Sequence, residues 1–232
     1  MSSILDIIGG SILGGLLLLI AITSSHNSIE AFYNYNSDAI VQQNLTQLSR
    51  IIEYDLRKMA FGIPEAQQPN VLQIAQSNHL KFIAQLNLDA DSFLLIPGVS
   101  HYDNIPDTIE YVITPAEEID FPDTSVTIYE VRRTIKISTG TTHTSIIGRI
   151  GNNDVFRYLN QIGDPVQVIS ATKMVEVTLT AFNPKVVLSP ELVSADIYQN
   201  IQDVELRKKE VRRLLRASYW RQTRLVSRNL RR

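Results

Sequence analysis

ILDIIGGSILGGLLLLIAI, residues Ile4 to Ile22, is the stretch on which the fold of this chain turns. Nineteen residues carry one acid, Asp6, and no base. At a rise of ~1.5 Å per residue a helix of this length spans roughly the ~30 Å hydrocarbon core of a bilayer. Two glycine pairs, Gly9-Gly10 and Gly14-Gly15, interrupt the apolar run. They set Gly10 with Gly14 and Ser11 with Gly15 at small-xxx-small spacing, which lets a neighbouring helix approach closely. From Ile7 to Ile22 there is no charge at all, so a buried hairpin of a soluble core is the poorer reading. No Lys or Arg stands before the run, and Thr23-Ser24-Ser25-His26-Asn27 after it has no small-x-small cleavage pattern, unlike a cleaved signal peptide. A membrane segment built to pack against other helices and a plain single-pass anchor both remain open.

Working outward, the first basic residue after this run is Arg50. Nothing positive holds the following region in the cytoplasm, so the bulk of the chain is expected outside it. The 232 residues suffice for one anchor and one domain of ordinary size. The chain has no Cys, which excludes disulfides, thiol chemistry and thiolate metal sites. The formal charge of −2 hides an asymmetry. Residues 205 to 232 contain eleven Lys/Arg and two acids, whereas the rest contains eleven basic and twenty-two acidic residues. The basic end can attract the acidic remainder, or another copy.

From Ser28 onward the pattern is amphipathic. Val41, Leu45, Leu48, Ile52, Leu56 and Met59 recur at spacings of three and four, one face of a helix, opposite Gln42, Gln43, Thr46, Gln47, Arg50 and Glu53. Glu53 and Arg57 form an i,i+4 pair, Arg57-Lys58 suit a helix C-terminus, and Gly62 with Pro64 stops the run. One long helix is predicted from about Ser3 to Ala60. Pro64 to Asn78 reads as a polar connection. The period then changes to two, predicting strands at Phe93–Ile96, Thr108–Ile113, Val126–Ile137, Val155–Leu159 and Thr172–Phe182. Turns are marked by Pro97-Gly98, Thr139-Gly140, Gly151-Asn152-Asn153 and Gly163-Asp164-Pro165. No crossover helices separate the strands, so the sheet is expected to be antiparallel. Val204–Leu215 reads as a helix and Tyr219–Val226 as a last strand. The fold class is α+β: residues 1–27 a membrane or filament-core helix, 28–62 its amphipathic continuation, and 63–232 an antiparallel β domain with a basic C-terminal region.

Little in the chain suggests catalysis. His26, His79, His101 and His143 are scattered without ligand spacing. Asn87-x-Asp89-x-Asp91 supplies the first three positions of a calcium loop but has neither the sixth-position Gly nor a Glu at the twelfth, where Gly98 stands. A solvated turn is expected there. No nucleophile elbow, phosphate loop or paired carboxylates occur, so neither enzyme activity, metal nor cofactor is expected. The basic surface of Arg212, Arg213, Arg216, Arg221, Arg224 and Arg228, with Tyr219 and Trp220 between, could meet nucleic acid. A solvated face, or contact with protein acids, is the favoured reading.

An apolar helix with an early acid, running on into an amphipathic helix that ends Tyr54-Asp55-Leu56-Arg57-Lys58-Met59-Ala60-Phe61-Gly62, resembles the type IV pilin-like proteins. Later segments, Thr108–Ile113, Tyr129–Arg133, Phe156–Asn160 with Gly163, Met174–Leu179 and Arg224–Leu230, come in an order that resembles PilW-kind minor pilins and, similarly, the J-type pseudopilins of type II secretion. The acid is Asp6, where the family has Glu as its fifth mature residue, and the family's short basic leader is missing. Removal of Met1, which Ser2 permits, would make Asp6 fifth. The resemblance implies a helix whose amino half packs in a filament core or sits in the inner membrane, through Asp6 and the four glycines, with a small antiparallel sheet outside the cytoplasm. It implies assembly with other pilin-like subunits, aided by pilus or secretion machinery, into a cell-surface or periplasmic filament. The competing expectation is a monomeric, single-pass membrane-anchored binding protein.

Overall fold

The computed structural model describes residues 2–64, 67, 70–86, 105–138, 140–166, 168–182 and 190–226. The chain divides into two compact units, Met1–Ile40 and Val41–Arg232. Helix α1 spans Ser2–Lys58. No proline occurs before Pro64, so nothing in the backbone interrupts it. It ends at Lys58, slightly before the expected Ala60. Ala60 (φ 62°) and Gly62 (φ 70°) are left-handed, and the Ala60 amide donates to the Ile83 carbonyl instead of continuing the helix.

In the second unit every paired strand among the described residues is antiparallel, as expected, including β7 and β8, which two helices separate in sequence. Strands β1 (Leu72–Ala75), β2 (His79–Ala84), β3 (Asp107–Phe121), β4 (Thr124–Lys136) and β5 (Thr142–Ile150) form one sheet in that order. Strands β6 (Phe156–Leu159), β7 (Met174–Phe182) and β8 (Arg216–Val226) form a second. Two sheets stand where the resemblance implies a single small one. Helices α2 (Pro190–Asn200) and α3 (Val204–Leu215) lie between β7 and β8 in sequence. Asp203 caps α3, its Oδ1 accepting from the amides of Glu205 at 2.8 Å and Leu206 at 3.1 Å.

Several expectations change. The segment read as a polar connection carries β1, whose Leu72 is buried. Its four residues are too short to show a period. β3 runs well beyond Ile113 because a register shift between Pro115 and Glu117 accommodates the proline and lets pairing continue to Phe121. β2, β5 and α2 have no counterpart among the predicted elements, and β8 begins three residues early. The predicted strand at Phe93–Ile96, the turn at Pro97-Gly98 and the Asn87–Asp91 motif lie outside the described residues.

One core joins the two sheets. Leu48, Ile52, Leu56 and Met59 of α1 cluster with Leu80 and Phe82 of β2, Ile109 and Tyr111 of β3, Val131 of β4, Phe156 of β6 and Val175 and Val177 of β7. The stripe read from the sequence is thus the buried one in its last three turns. At Gly148 on β5 a Cβ would lie 3.2 Å from a methyl of Leu48, so the missing side chain lets α1 lie close on the strand. A satellite cluster of Ile119, Phe121 and Ile128 with Ile197 and Val211 seats α2 and α3 on the far end of the β3–β4 hairpin.

Candidate functional site

The candidate assembly residues belong to the first unit. Ile8–Ser28 is long and apolar enough to cross a membrane, with mean hydropathy 1.9 and no residue of it buried. Two of its side-chain hydroxyls are satisfied within the helix. Thr23 donates to the Leu19 carbonyl and Ser28 to the Ser24 carbonyl, each at 2.8 Å, so neither demands water. At Gly9, Gly10, Gly14 and Gly15 an added Cβ would meet nothing within 4 Å. These glycines make room for no described part of their own chain. Asp6 lies in α1, and its side chain is outside the described residues.

In the second unit, α1 carries two acids that reach different sheets. Asp55, fully buried, accepts from Tyr111 Oη at 2.5 Å and from Arg133 Nε and Nη2 at 2.6 and 2.9 Å. Tyr111 and Arg133 face each other across β3 and β4, so two adjacent strands close on one carboxylate. This is a bidentate, charge-assisted arrangement. Burial first, then the Asp55 charge, push the Tyr111 hydroxyl well above its ordinary range, which keeps it a donor. Burial opposes the charge on Arg133, yet Asp55 holds its guanidinium above the usual value. Glu53, two residues earlier and therefore about 200° around the helix, turns to the other sheet. It accepts from Thr223 at 3.1 Å, lies 3.5 Å from Arg221 on β8, and accepts from Ser49 at 2.8 Å.

The arginines singled out in the sequence do not form one uniform patch. Arg221 meets Glu53. Arg224 lies 2.5 Å from Glu176, its cross-strand partner on β7, while Arg157 on β6 approaches the same carboxylate at 3.8 Å. Glu176 is only 2 % exposed and sits between two cations. Arg213 pairs with Glu210 on its own helix, and Arg212 is exposed. The side chain of Arg216 and all of Arg228 lie outside the described residues. Arg221 and Arg224 of the basic C-terminal region are thus tied to acids elsewhere in the same chain.

No group of three or more His, Cys, Asp or Glu residues able to hold a metal occurs among the described residues. His79 lies 2.6 Å from Glu110 on the neighbouring strand. The Asp55–Tyr111–Arg133 cluster has no place in the sequence reading, although a signal exists. Asp55 falls three residues after Ile52 and four before Met59, an acid set into the apolar face of the helix. Tyr111 and Arg133 likewise occupy inward positions of strands whose neighbours at ±2, Ile109, Ile113, Val131 and Ile135, are all buried. No family profile, curated protein or solved structure matches this chain.

Proposed function

We propose that the chain is a structural, pilin-like subunit that assembles through the apolar half of α1 into a surface filament or secretion pseudopilus. One observation carries this: Ile8–Ser28 is wholly unburied, and its four nearby or included glycines have open faces, while the later part of the same helix is fixed in a folded antiparallel domain. Gly costs about 1 kcal/mol against Ala in a helix interior. Glycines that admit no part of their own chain gain most from admitting another helix. Before assembly the segment would sit in the inner membrane with the sheets outside the cytoplasm. Partners would be other pilin-like subunits and the assembly machinery, with neither catalysis nor nucleic acid involved.

Asp6 provides the test. A charge in an apolar segment costs about 2.5–3.5 kcal/mol at a bilayer centre. Pairing with the terminal amino group of a neighbouring subunit, as the resemblance implies, would offset that cost and set the axial register. Asp6→Asn keeps the size and polarity of the side chain but removes the charge. The expected result, by electron microscopy and sheared surface fractions, is a protein that inserts and folds but stays out of filaments. Normal incorporation of Asp6→Asn would show that the Asp6 charge plays no part in assembly. Absence of the wild-type protein from every filament fraction would leave the monomeric anchored reading.

A further inference from the structure

Where β6 turns back toward β7, the chain presents an isoleucine almost entirely to solvent. Ile162 is 88 % exposed, the highest value among the exposed large apolar residues described. The turn that carries it is held firmly. Asn160 Oδ1 accepts from the amides of Ile162, Gly163 and Asp164, each at 2.9 Å, and the Asn160 amide donates to the Asp164 carbonyl at 2.9 Å. Gly163 takes φ 102°, a value open to glycine, and Leu159 bridges to Pro165. An apolar knob on a preorganised turn loses little conformational freedom when it is buried in a partner.

A fitting recess lies at the other end of β7. A groove of about 410 Å³ is lined by Leu45, Leu48 and Ile51 of α1, Ile146 and Arg149 of β5, and Phe182 at the end of β7. Ile146 is 58 % exposed at its rim, on the last strand of the five-stranded sheet. The strand register separates knob from groove. Leu159, just before the knob, pairs with Met174 at the start of β7, whereas Phe182 ends that strand. Nine residues at ~3.3 Å each span roughly 26–30 Å, so one chain cannot fill its own groove with its own knob. Charge adds to the fit: Asp164, exposed, flanks the knob, and Arg149, which lies 3.5 Å from Glu117 yet keeps 55 % of its side chain exposed, lines the groove.

We propose that Ile162 of one copy seats in the α1–β5–β7 groove of the next, with Asp164 facing Arg149. The two surfaces differ and lie at opposite ends of a strand, so a contact made once per pair is head-to-tail and leaves a knob and a groove free to continue the chain of copies. The occupant, a second copy, rests on the filament reading above. Because the chain has no native cysteine, the contact is testable in the full-length protein in membranes. I162C and I146C proteins, co-expressed and mildly oxidised, should give a disulfide-linked dimer that neither forms alone, and the I162C/I146C double variant should give a ladder. D164R in the I162C protein should lower the yield several-fold, and R149D in the partner should restore it. An S11C variant reports packing of the apolar helices independently. No mixed dimer, equal dimer from I162C alone, or a double variant that stops at dimer would overturn the contact. If S11C still cross-links in that case, the filament reading survives. If S11C also fails, that reading is lost too.

Discussion

Replacing Asp55 by Asn keeps the size of the side chain and removes its charge. The carboxylate accepts three donors from Tyr111 and Arg133. An amide supplies one acceptor oxygen and turns an NH2 toward one of those donors. Arg133 is then left charged, with its side chain only 21 % exposed and its counter-charge gone. Removing one partner of a buried ion pair costs roughly 3–5 kcal/mol. The partial exposure of Arg133 lets water share its charge and draws the expectation to about 3 kcal/mol. That is a large share of a typical stability of 5–15 kcal/mol. The assay is urea unfolding of the full chain in a mild non-ionic detergent, followed by circular dichroism. Asp55→Leu combined with Arg133→Met should lose less than Asp55→Asn alone, because no unpaired charge stays behind. A loss for Asp55→Asn within about 0.5 kcal/mol of wild type, the range of an ordinary surface change, would refute the idea of a buried charged clasp.

Tyr111 predicts the alkaline limit. Its folded pKa is raised above 10.0, so its contribution is complete below pH 10 and declines as pH rises beyond it, because the unfolded chain releases that proton first. Urea melts of Tyr111→Phe at pH 9 and 11 should show a smaller pH loss than wild type, keeping a part from Tyr158, which burial also raises. Gly62→Ala should destabilise by about 1–3 kcal/mol, measured by thermal unfolding, since φ is 70° and the new Cβ would lie 2.9 Å from that of Gln85. A fragment starting at Pro64 should aggregate, whereas one starting near Ser28 should be soluble by size-exclusion chromatography. The difference is the burial of Leu48, Ile52, Leu56 and Met59, each worth roughly 1.5–3 kcal/mol.

The helix was the most legible part of the chain because its signals are long and mutually consistent: an apolar run of nineteen residues, a stripe over nineteen more, and the stop at Gly62 and Pro64. Strands β4, β6 and β7 were also legible, from alternation such as Val175, Val177 and Leu179 against Glu176 and Thr178. β1 and β2 were obscured because Leu72–Ala75 and His79–Ala84 are short, and β2 turns fully buried at Phe82, Ile83 and Ala84, where alternation ceases. β5 was hidden by its polar, largely exposed first half, Thr142–Ser145. The buried clasp needs residues 55, 111 and 133 brought together by tertiary pairing, which no local pattern expresses. The acidic partners of Arg221 and Arg224 are distant in sequence for the same reason, although the opposed charges of the two regions made such pairing an open alternative.

The contact between Glu53 and Thr223 spans 170 residues. Its place at both ends of the second unit governs when that unit can form. The strand that supplies Thr223, Arg221 and Arg224 is the last described element of the chain, while Glu53 is on the first. Until β8 arrives, β7 has an open edge, Glu176 lacks one of its two cations, and Glu53 on the helix lacks Thr223 and Arg221. Such long-range closure slows folding, since the entropy of the intervening loop is lost before the contact repays it. A chain stopped before Arg216 would therefore expose a sticky strand and a half-compensated acid.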